Sequence, residues 1–298
     1  MMLHSPTPAG VPPLAPLASS SPSCSAASLA VLTDLLEART GQQLTSYRAW
    51  RIDTALKPLV RERGLDTIDR LVTSLLEGHD RTIADRIVDA LLNQETSFFR
   101  DGQVIDQVVE AVAAIEASGR RARVWSAGCA TGQEPISLAI AFAERQERDG
   151  IAPPDIVATD VSEVAVARAR EGRFTQFEIQ RGLPVRRMIR WFDERGGDWI
   201  AKPELTRMIA FRRHNLTADA APGRFDVVLC RNVLLYLAAP AKAEVFARIA
   251  SALRPDGLLV LGAGETVIGQ TSRFEPSARM RGFYGRARNR DTAAEIAA

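Results

Sequence analysis

The chain has 298 residues, 46% of them hydrophobic, with 38 Lys and Arg against 36 Asp and Glu. That length holds two domains, and so even a charge balance excludes a general nucleic-acid or polyanion binder unless cations cluster. Cys24, Cys129 and Cys230 are far apart, odd in number and without a C-x-x-C pair, which excludes a disulfide framework and points to a reducing cytosol, and no apolar run approaches the roughly 20 residues of a membrane span.

Residues 1–26 are Pro, Ser and Ala with scattered aliphatics, a composition that predicts a flexible tail and interrupts any signal-peptide core. Residues 27–92 read as a small all-α domain. Leu29, Leu32, Leu35 and Leu36 recur at helical spacing, Gly41 stops that helix, and Thr45 or Ser46 caps the next. Pro58 predicts a kink or break near Lys57, and Gly64 ends the segment. Ile68, Leu71, Val72, Leu75 and Leu76 mark a third helix, and Ile83, Ile87, Val88, Leu91 and Leu92 a fourth. The second helix carries Arg48, Arg51, Lys57, Arg61 and Arg63 against only Asp53 and Glu62. Either this is a solvated face or it is a dock for an acidic helical partner.

Residues 93–119 form a linker and lead-in helix. Phe98 and Phe99 are too apolar for an exposed linker and are expected at a domain junction, with Thr96 and Arg100 at its edge; a helix over 104–114 follows. Residues 120–290 then alternate. Strands are predicted at 124–126, 156–159, 227–230 and 258–262, with helices over 135–148, 162–171 and 241–253 and a turn at Arg254-Pro255-Asp256-Gly257. Such β/α alternation gives a mostly parallel sheet with helices on both faces and a ligand beyond the strand ends. Residues 172–214 break the pattern and read as an insertion, a small antiparallel β subdomain that includes Met208 to Phe211.

The chemistry gathers at the strand ends. Ala127, Gly128, Ala130 and Gly132 make a small-residue loop between a strand and a helix, where backbone can approach a ligand closely. The Lys-Ser/Thr pair of a phosphate-binding loop is missing, and Gln133 and Glu134 put acceptors where a pyrophosphate would want cations. Asp160, ending the second sheet strand, is placed to accept from ribose hydroxyls; as an alternative it caps a helix, but Ser162 is available for that. Asp160 follows Gly128 by about thirty residues, not the roughly twenty of a dinucleotide fingerprint. A cationic adenosine ligand without pyrophosphate fits better, and S-adenosylmethionine is one. Asn215 and Leu216 are placed to read an adenine edge, and Arg231 and Asn232 end the next strand in the crevice. His4, His79 and His214 lack metal-ligand spacing and read as surface or capping residues.

The stretches QETSFFRD, VWSAGCATGQEPISLAI, ATDVSEVAVARAREGRF, FDVVLCRNVLLYL and LRPDGLLVLGAGET, in this order behind a helical domain, resemble the CheR family of chemoreceptor methyltransferases over roughly residues 28 to 288. The resemblance implies a Rossmann-like S-adenosylmethionine-dependent methyltransferase sheet. It also implies methylation of glutamate side chains on the cytoplasmic helical bundle of methyl-accepting chemotaxis receptors, giving γ-glutamyl methyl esters and S-adenosylhomocysteine without a metal. It carries over Gln94, Thr96, Arg100, Ala127, Gly128, Gln133, Glu134, Asp160, Asn215, Leu216, Arg231 and Asn232 as cofactor contacts, with Arg100 and Tyr236 nearest the methyl group. The family pattern has Asn directly before Glu-Thr, where this chain has Gln94, with Asn93 one residue earlier. The insertion reads ERGGDW and lacks the glycine-rich, Pro-His-containing loop with which some members hold a receptor's C-terminal pentapeptide.

With the family in view, Arg48, Arg51, Lys57, Arg61 and Arg63 become a receptor dock, and a cytoplasmic monomer that neither binds nucleic acid nor enters the membrane is expected. The alternatives are a non-catalytic S-adenosylmethionine-sensing module, or a carboxyl methyltransferase of another protein or a small acid. A glutamate carboxylate, with an ordinary pKa of about 4.3, is already ionised at neutral pH and needs no general base, in keeping with the lack of a His–Asp arrangement.

Overall fold

The structure is a computed structural model that describes residues 24–44, 49–78, 80 and 82–287. The expected tail up to residue 23, the Thr45 or Ser46 cap, Arg48, His4, His79 and the segment from residue 288 lie outside the described residues. The described chain opens with α1 (Ala26–Thr40), α2 (Ala49–Glu62), α3 (Ile68–Glu77) and α4 (Ile83–Leu91). Ser25 caps α1 by accepting from the Ser28 N–H, and Gly41, at φ 73°, ends it in the left-handed region that favours glycine. Leu32, Ile52, Leu56, Leu71, Ile83 and Ile87 are buried between these four helices. Leu76, at helical spacing with them, faces outward and is 69% exposed.

Pro58 does not break α2, which runs through it as one helix. The proline leaves the Thr54 carbonyl without its helical donor, but Pro58 and Thr54 are both exposed, on the side where water can serve that carbonyl. The opposite face carries Ile52, Leu56, Leu59 and Val60 into the core, and that burial holds the helix together.

From α5 (Gly102–Glu116) the chain enters the sheet: β1 (Arg123–Ala127), α6 (Gln133–Asp149), β2 (Asp155–Asp160) and α7 (Glu163–Glu171). The insertion follows as β3 (Arg173–Thr175), α8 (Gln176–Gln180), α9 (Val185–Trp191), β4 (Phe192–Arg195), β5 (Asp198–Ala201) and α10 (Pro203–Thr206). Then come β6 (Ile209–Arg213), β7 (Phe225–Cys230), a single 3-10 turn at Leu234–Tyr236, α11 (Ala239–Ala252), β8 (Leu253–Leu261), β9 (Phe274–Pro276) and β10 (Phe283–Arg286). Most expected elements extend or shift by one or two residues.

The seven-stranded sheet has the order β6-β2-β1-β7-β8-β10-β9; β1, β2, β6, β7 and β8 are parallel and β10 is reversed against both neighbours. Strand order turns back between β1 and β7, and a crevice outside the carboxyl ends of the strands is expected there. Apolar layers cover both faces. One includes Val124, Ile136, Ile140, Phe142 and Val166, the other Trp125, Val228, Phe246 and Leu259.

Two further expectations are corrected. Met208 to Phe211 does not belong to the inserted subdomain: β6 pairs in parallel with β2 as the edge of the main sheet, Ala158 opposite Phe211, because its apolar residues complete that sheet's core. The insertion itself is a three-stranded antiparallel sheet in the order β3-β5-β4, its hairpin turning on Gly196 and Gly197 at φ 61° and 85°. The Arg254–Gly257 turn is absorbed into β8. Phe225 pairs with Leu253 and Val227 with Leu258, so those residues bulge opposite Asp226, whose buried carboxylate takes the Arg123 N–H at 2.8 Å and the Arg120 guanidinium.

Phe98 is fully buried edge-on to Phe174 and Phe192, at ring distances of 4.9 and 5.6 Å, and so joins the segment after α4 to the insertion. A Cβ on Gly182 would lie 2.0 Å from the Phe98 carbonyl oxygen, so only glycine fits there.

Candidate active site

A cleft of ≈ 980 Å³ opens at the carboxyl ends of β1, β2 and β7. Its walls come from the 92–100 segment, the Gly128–Ala130 loop, Asp160, residues 214–217 and the chain after β7, and Thr40 and Gln42 of the helical domain close one side. Four non-glycine residues with left-handed φ cluster here: Phe99 (46°), Asp101 (54°), Ala130 (47°) and Asn232 (59°). Backbone strain of this kind persists only where surrounding bonds over-determine it.

Those bonds are visible. At the β1 end the N–H groups of Gly128 and Cys129 both donate to the Thr159 carbonyl, at 2.8 and 2.9 Å. A Cβ on Gly128, at φ 78°, would meet Val233 at 2.4 Å, so the loop can sit against the β7 turn only with glycine. Ser162 caps α7 by accepting from the Ala165 N–H, as its position suggests, and leaves Asp160 to the loop. Asp160 accepts from Ala130 N–H at 2.8 Å and Ser162 N–H at 3.0 Å while facing the cleft. Burial pushes its carboxyl above the ordinary range, and the N–H groups of Ser162, Ala130 and Val161 pull against that rise. Burial likewise pushes the Cys129 and Cys230 thiols well up, which leaves them poor nucleophiles.

Arg231 is the knot of the site. Its side chain, 2% exposed, donates to Glu134 Oε2 at 3.0 Å, to the Arg100 carbonyl at 3.0 Å and to Asp101 Oδ2 at 2.5 Å. Glu134 spends its other oxygen on Ser126 Oγ at 2.8 Å. One guanidinium thereby ties β7 to the start of α6 and to the turn that carries Arg100. The Arg100 side chain itself is exposed at the cleft and, among the described residues, has no ion-pair partner.

Of the expected cofactor contacts, Gln94, Thr96, Arg100, Gly128, Glu134, Asp160, Asn215, Leu216, Arg231 and Asn232 line the cleft, together with Tyr236. Ala127 and Gln133 stand behind the lining. Ala127 is packed into the sheet core, and Gln133, 2% exposed, accepts from Thr131 Oγ at 2.8 Å, so both shape the loop from beneath. The Asn215 amide is already spent, donating to the Arg39 carbonyl at 2.8 Å and accepting from Thr217. That bond docks α1 on the cleft, and the Asn215 N–H is committed as well, donating to Asp219 Oδ2 at 2.8 Å. Gln94 reaches Ser162 Oγ at 3.2 Å.

Two residues escaped the sequence reading. Glu265 accepts from the N–H groups of Asn232 (2.7 Å), Val233 (3.0 Å), Leu235 (3.3 Å) and Gly262 (2.9 Å), holding the turn after β7 in its strained shape. An acid directly after the Gly-Ala-Gly that follows β8 was the available signal. Asn93 donates to Tyr236 Oη, a contact across 143 positions that no local pattern announces.

On the basic face, Lys57 and Arg61 are exposed and without ion pairs among the described residues, whereas Arg63 is bound to Asp80 and Arg51 donates to Asn93. The open part of the arc is therefore narrower than the sequence suggests.

The donor set fits a cationic nucleoside cofactor. Acceptors Asp160 and Glu134 line the cleft, and Gly128 admits close approach; the Nε donor of Arg231 and Nδ1 of His214, both on lining residues, have no protein partner. Fold and site together define a Rossmann-like S-adenosylmethionine-dependent methyltransferase. Residues 94–283 match the family described as "CheR methyltransferase, SAM binding domain". The chain is 34% identical over 249 residues to chemotaxis protein methyltransferase Cher2 of Pseudomonas putida, covering 80% of this chain and 90% of that protein. It is 35% identical over 243 residues to chemotaxis protein methyltransferase 1 of Pseudomonas aeruginosa (78% and 87% covered) and 33% over 245 residues to that of Vibrio cholerae (80% and 89%). The protein belongs to the CheR methyltransferase family. No helix among the described residues is long and apolar enough to cross a membrane.

Proposed function

We propose that this protein acts in the cytoplasm, esterifying glutamate side chains on the helical bundle of a methyl-accepting chemotaxis receptor and releasing S-adenosylhomocysteine. Chemotaxis methyltransferases among its relatives support that reading. The observation that carries it is the Arg100 guanidinium, exposed at the cleft with no ion-pair partner among the described residues, a cation placed to receive a carboxylate from outside.

Bound S-adenosylmethionine supplies an electrophilic methyl on a sulfonium. Asp160 would hold the ribose end, and Glu134 the positively charged end. Arg100 would hold one oxygen of the acceptor carboxylate and leave the other free to react, and Tyr236 would steady the same group. A cleft that sheds water would favour a reaction that cancels charge, and the alignment these residues impose on the carboxylate would supply much of the rest. Arg100 must not bind the carboxylate too tightly, because ground-state stabilisation slows transfer.

Incubation with methyl-labelled cofactor and a receptor cytoplasmic fragment should place base-labile label on receptor glutamates; label on free small acids alone would reject the receptor. Asp160→Ala should weaken S-adenosylhomocysteine binding in calorimetry by roughly 10-fold or more, the worth of a hydrogen bond to a charged group. Lys57→Glu with Arg61→Glu should leave folding intact and lower kcat/KM for the receptor fragment about 10-fold at low salt, the deficit shrinking as salt screens it. An unchanged rate and salt dependence would mark the face as merely solvated.

A further inference from the structure

The side chain of Asn93 links α2 of the helical domain to Tyr236 at the cleft. Asn93, just after α4, lines the cleft and also a smaller cavity of ≈ 410 Å³ bordered by Arg51, Ile52 and Ala55 of α2. Arg51 Nη1 donates to Asn93 Oδ1 at 3.2 Å, and Asn93 Nδ2 donates to Tyr236 Oη. Main-chain bonds secure the same junction. Gln43 N–H donates to the Tyr236 carbonyl at 2.8 Å, and Gln42 forms an antiparallel bridge with Leu237.

The direction of these bonds follows from what each group can do. A guanidinium has only donors, so the Asn93 atom turned towards Arg51 must be the carbonyl oxygen. The amide nitrogen then faces Tyr236 and can only donate, which makes the phenol oxygen the acceptor. A hydroxyl that accepts there acts through its own O–H as a donor, and an ionised carboxylate offers acceptors alone.

We propose that Asn93, locked in one amide orientation by Arg51, is a positioning residue that makes Tyr236 a hydrogen-bond donor to the acceptor carboxylate. The inference rests on the glutamate methyltransferase reading and adds to it a physical link from α2 to the reacting centre. It also separates Arg51 from Lys57 and Arg61: all three are exposed, but Arg51 donates to Asn93 and so sets the direction of that hydrogen bond.

The test is Asn93→Asp, which keeps the shape but replaces the donor by an acceptor. The new carboxylate keeps its pairing with Arg51 and takes the phenol hydrogen for itself. With receptor fragment and S-adenosylmethionine, N93D should lose about 10- to 100-fold in kcat, the range for a hydrogen bond to a charged group, with S-adenosylhomocysteine affinity unchanged. In a Tyr236→Phe background the same change should cost nothing further, because the hydroxyl it acts through is gone. Arg51→Met, which frees the amide to turn, should give part of the N93D loss at saturating substrate. Equal losses from N93D with and without the phenol hydroxyl would overturn the proposal. A readout independent of substrate is the Asn93 side-chain amide resonance, which should move in Tyr236→Phe. A resonance that stays put also overturns the relay. An enzyme that shows this bond yet methylates no receptor carboxylate overturns the functional reading, and with it the acceptor assigned to Tyr236.

Discussion

Replacement of Arg100 by alanine is expected to cut kcat/KM for receptor methylation by roughly 10² to 10³, the usual effect of removing one preorganised group that stabilises the reacting charge. The substitution is clean. Arg100 touches the rest of the site through its carbonyl, which accepts from Arg231 and survives in alanine, while the guanidinium stands exposed at the cleft. Stability should therefore change little. The loss should fall mainly on kcat if the guanidinium acts by aligning the carboxylate, and on KM if it only binds it. Arg100→Lys should recover part of the rate, since it keeps the charge and gives up the planar fork. Identical kcat/KM for wild type and Arg100→Ala would remove this residue from the reaction.

The second large effect is expected from Arg231→Leu, on stability as well as activity. Its guanidinium and the Glu134 carboxylate are 2% and 15% exposed, and deleting one member strands the other in a poorly solvated place. For a buried pair that costs about 3 to 5 kcal/mol, or a fall of roughly 10 °C in Tm for a chain of this size. Asp101 is 46% exposed and adds little, because water already serves it. A double change of Arg231 and Glu134 to leucine should restore much of the lost Tm, since no poorly solvated charge is then left unpaired, but should not restore methyl transfer. A single Arg231→Leu protein with wild-type Tm would show that the knot contributes nothing to the fold.

Much of the architecture was legible because it is written in short-range pattern. The β/α alternation, the glycine stop at Gly41 and the Ser162 cap each depend on residues within a few positions of one another. Asp160 was found from its place at a strand end, and the loop from its run of small residues. Pro58 misled because local propensity forbids a proline inside a helix, while the apolar face opposite it holds α2 to the bundle regardless. Met208 to Phe211 misled because a short apolar stretch does not say which of two sheets it will join.

By itself, the sequence determined the class of fold, the ligand loop and the group of polar residues that end its strands, all properties of local periodicity and of residue type. Tertiary structure alone decided how those residues are used. It spent Asn215 on the Arg39 carbonyl and Arg63 on Asp80, gave Glu265 four backbone donors, and bound Arg231 to Glu134 and Asp101. It also brought Asn93 to a tyrosine 143 positions away. A side chain's hydrogen bonds are fixed by whichever groups the packed chain brings within about 3 Å of it, and in a sheet whose neighbouring strands are distant in sequence, those groups have no local signature.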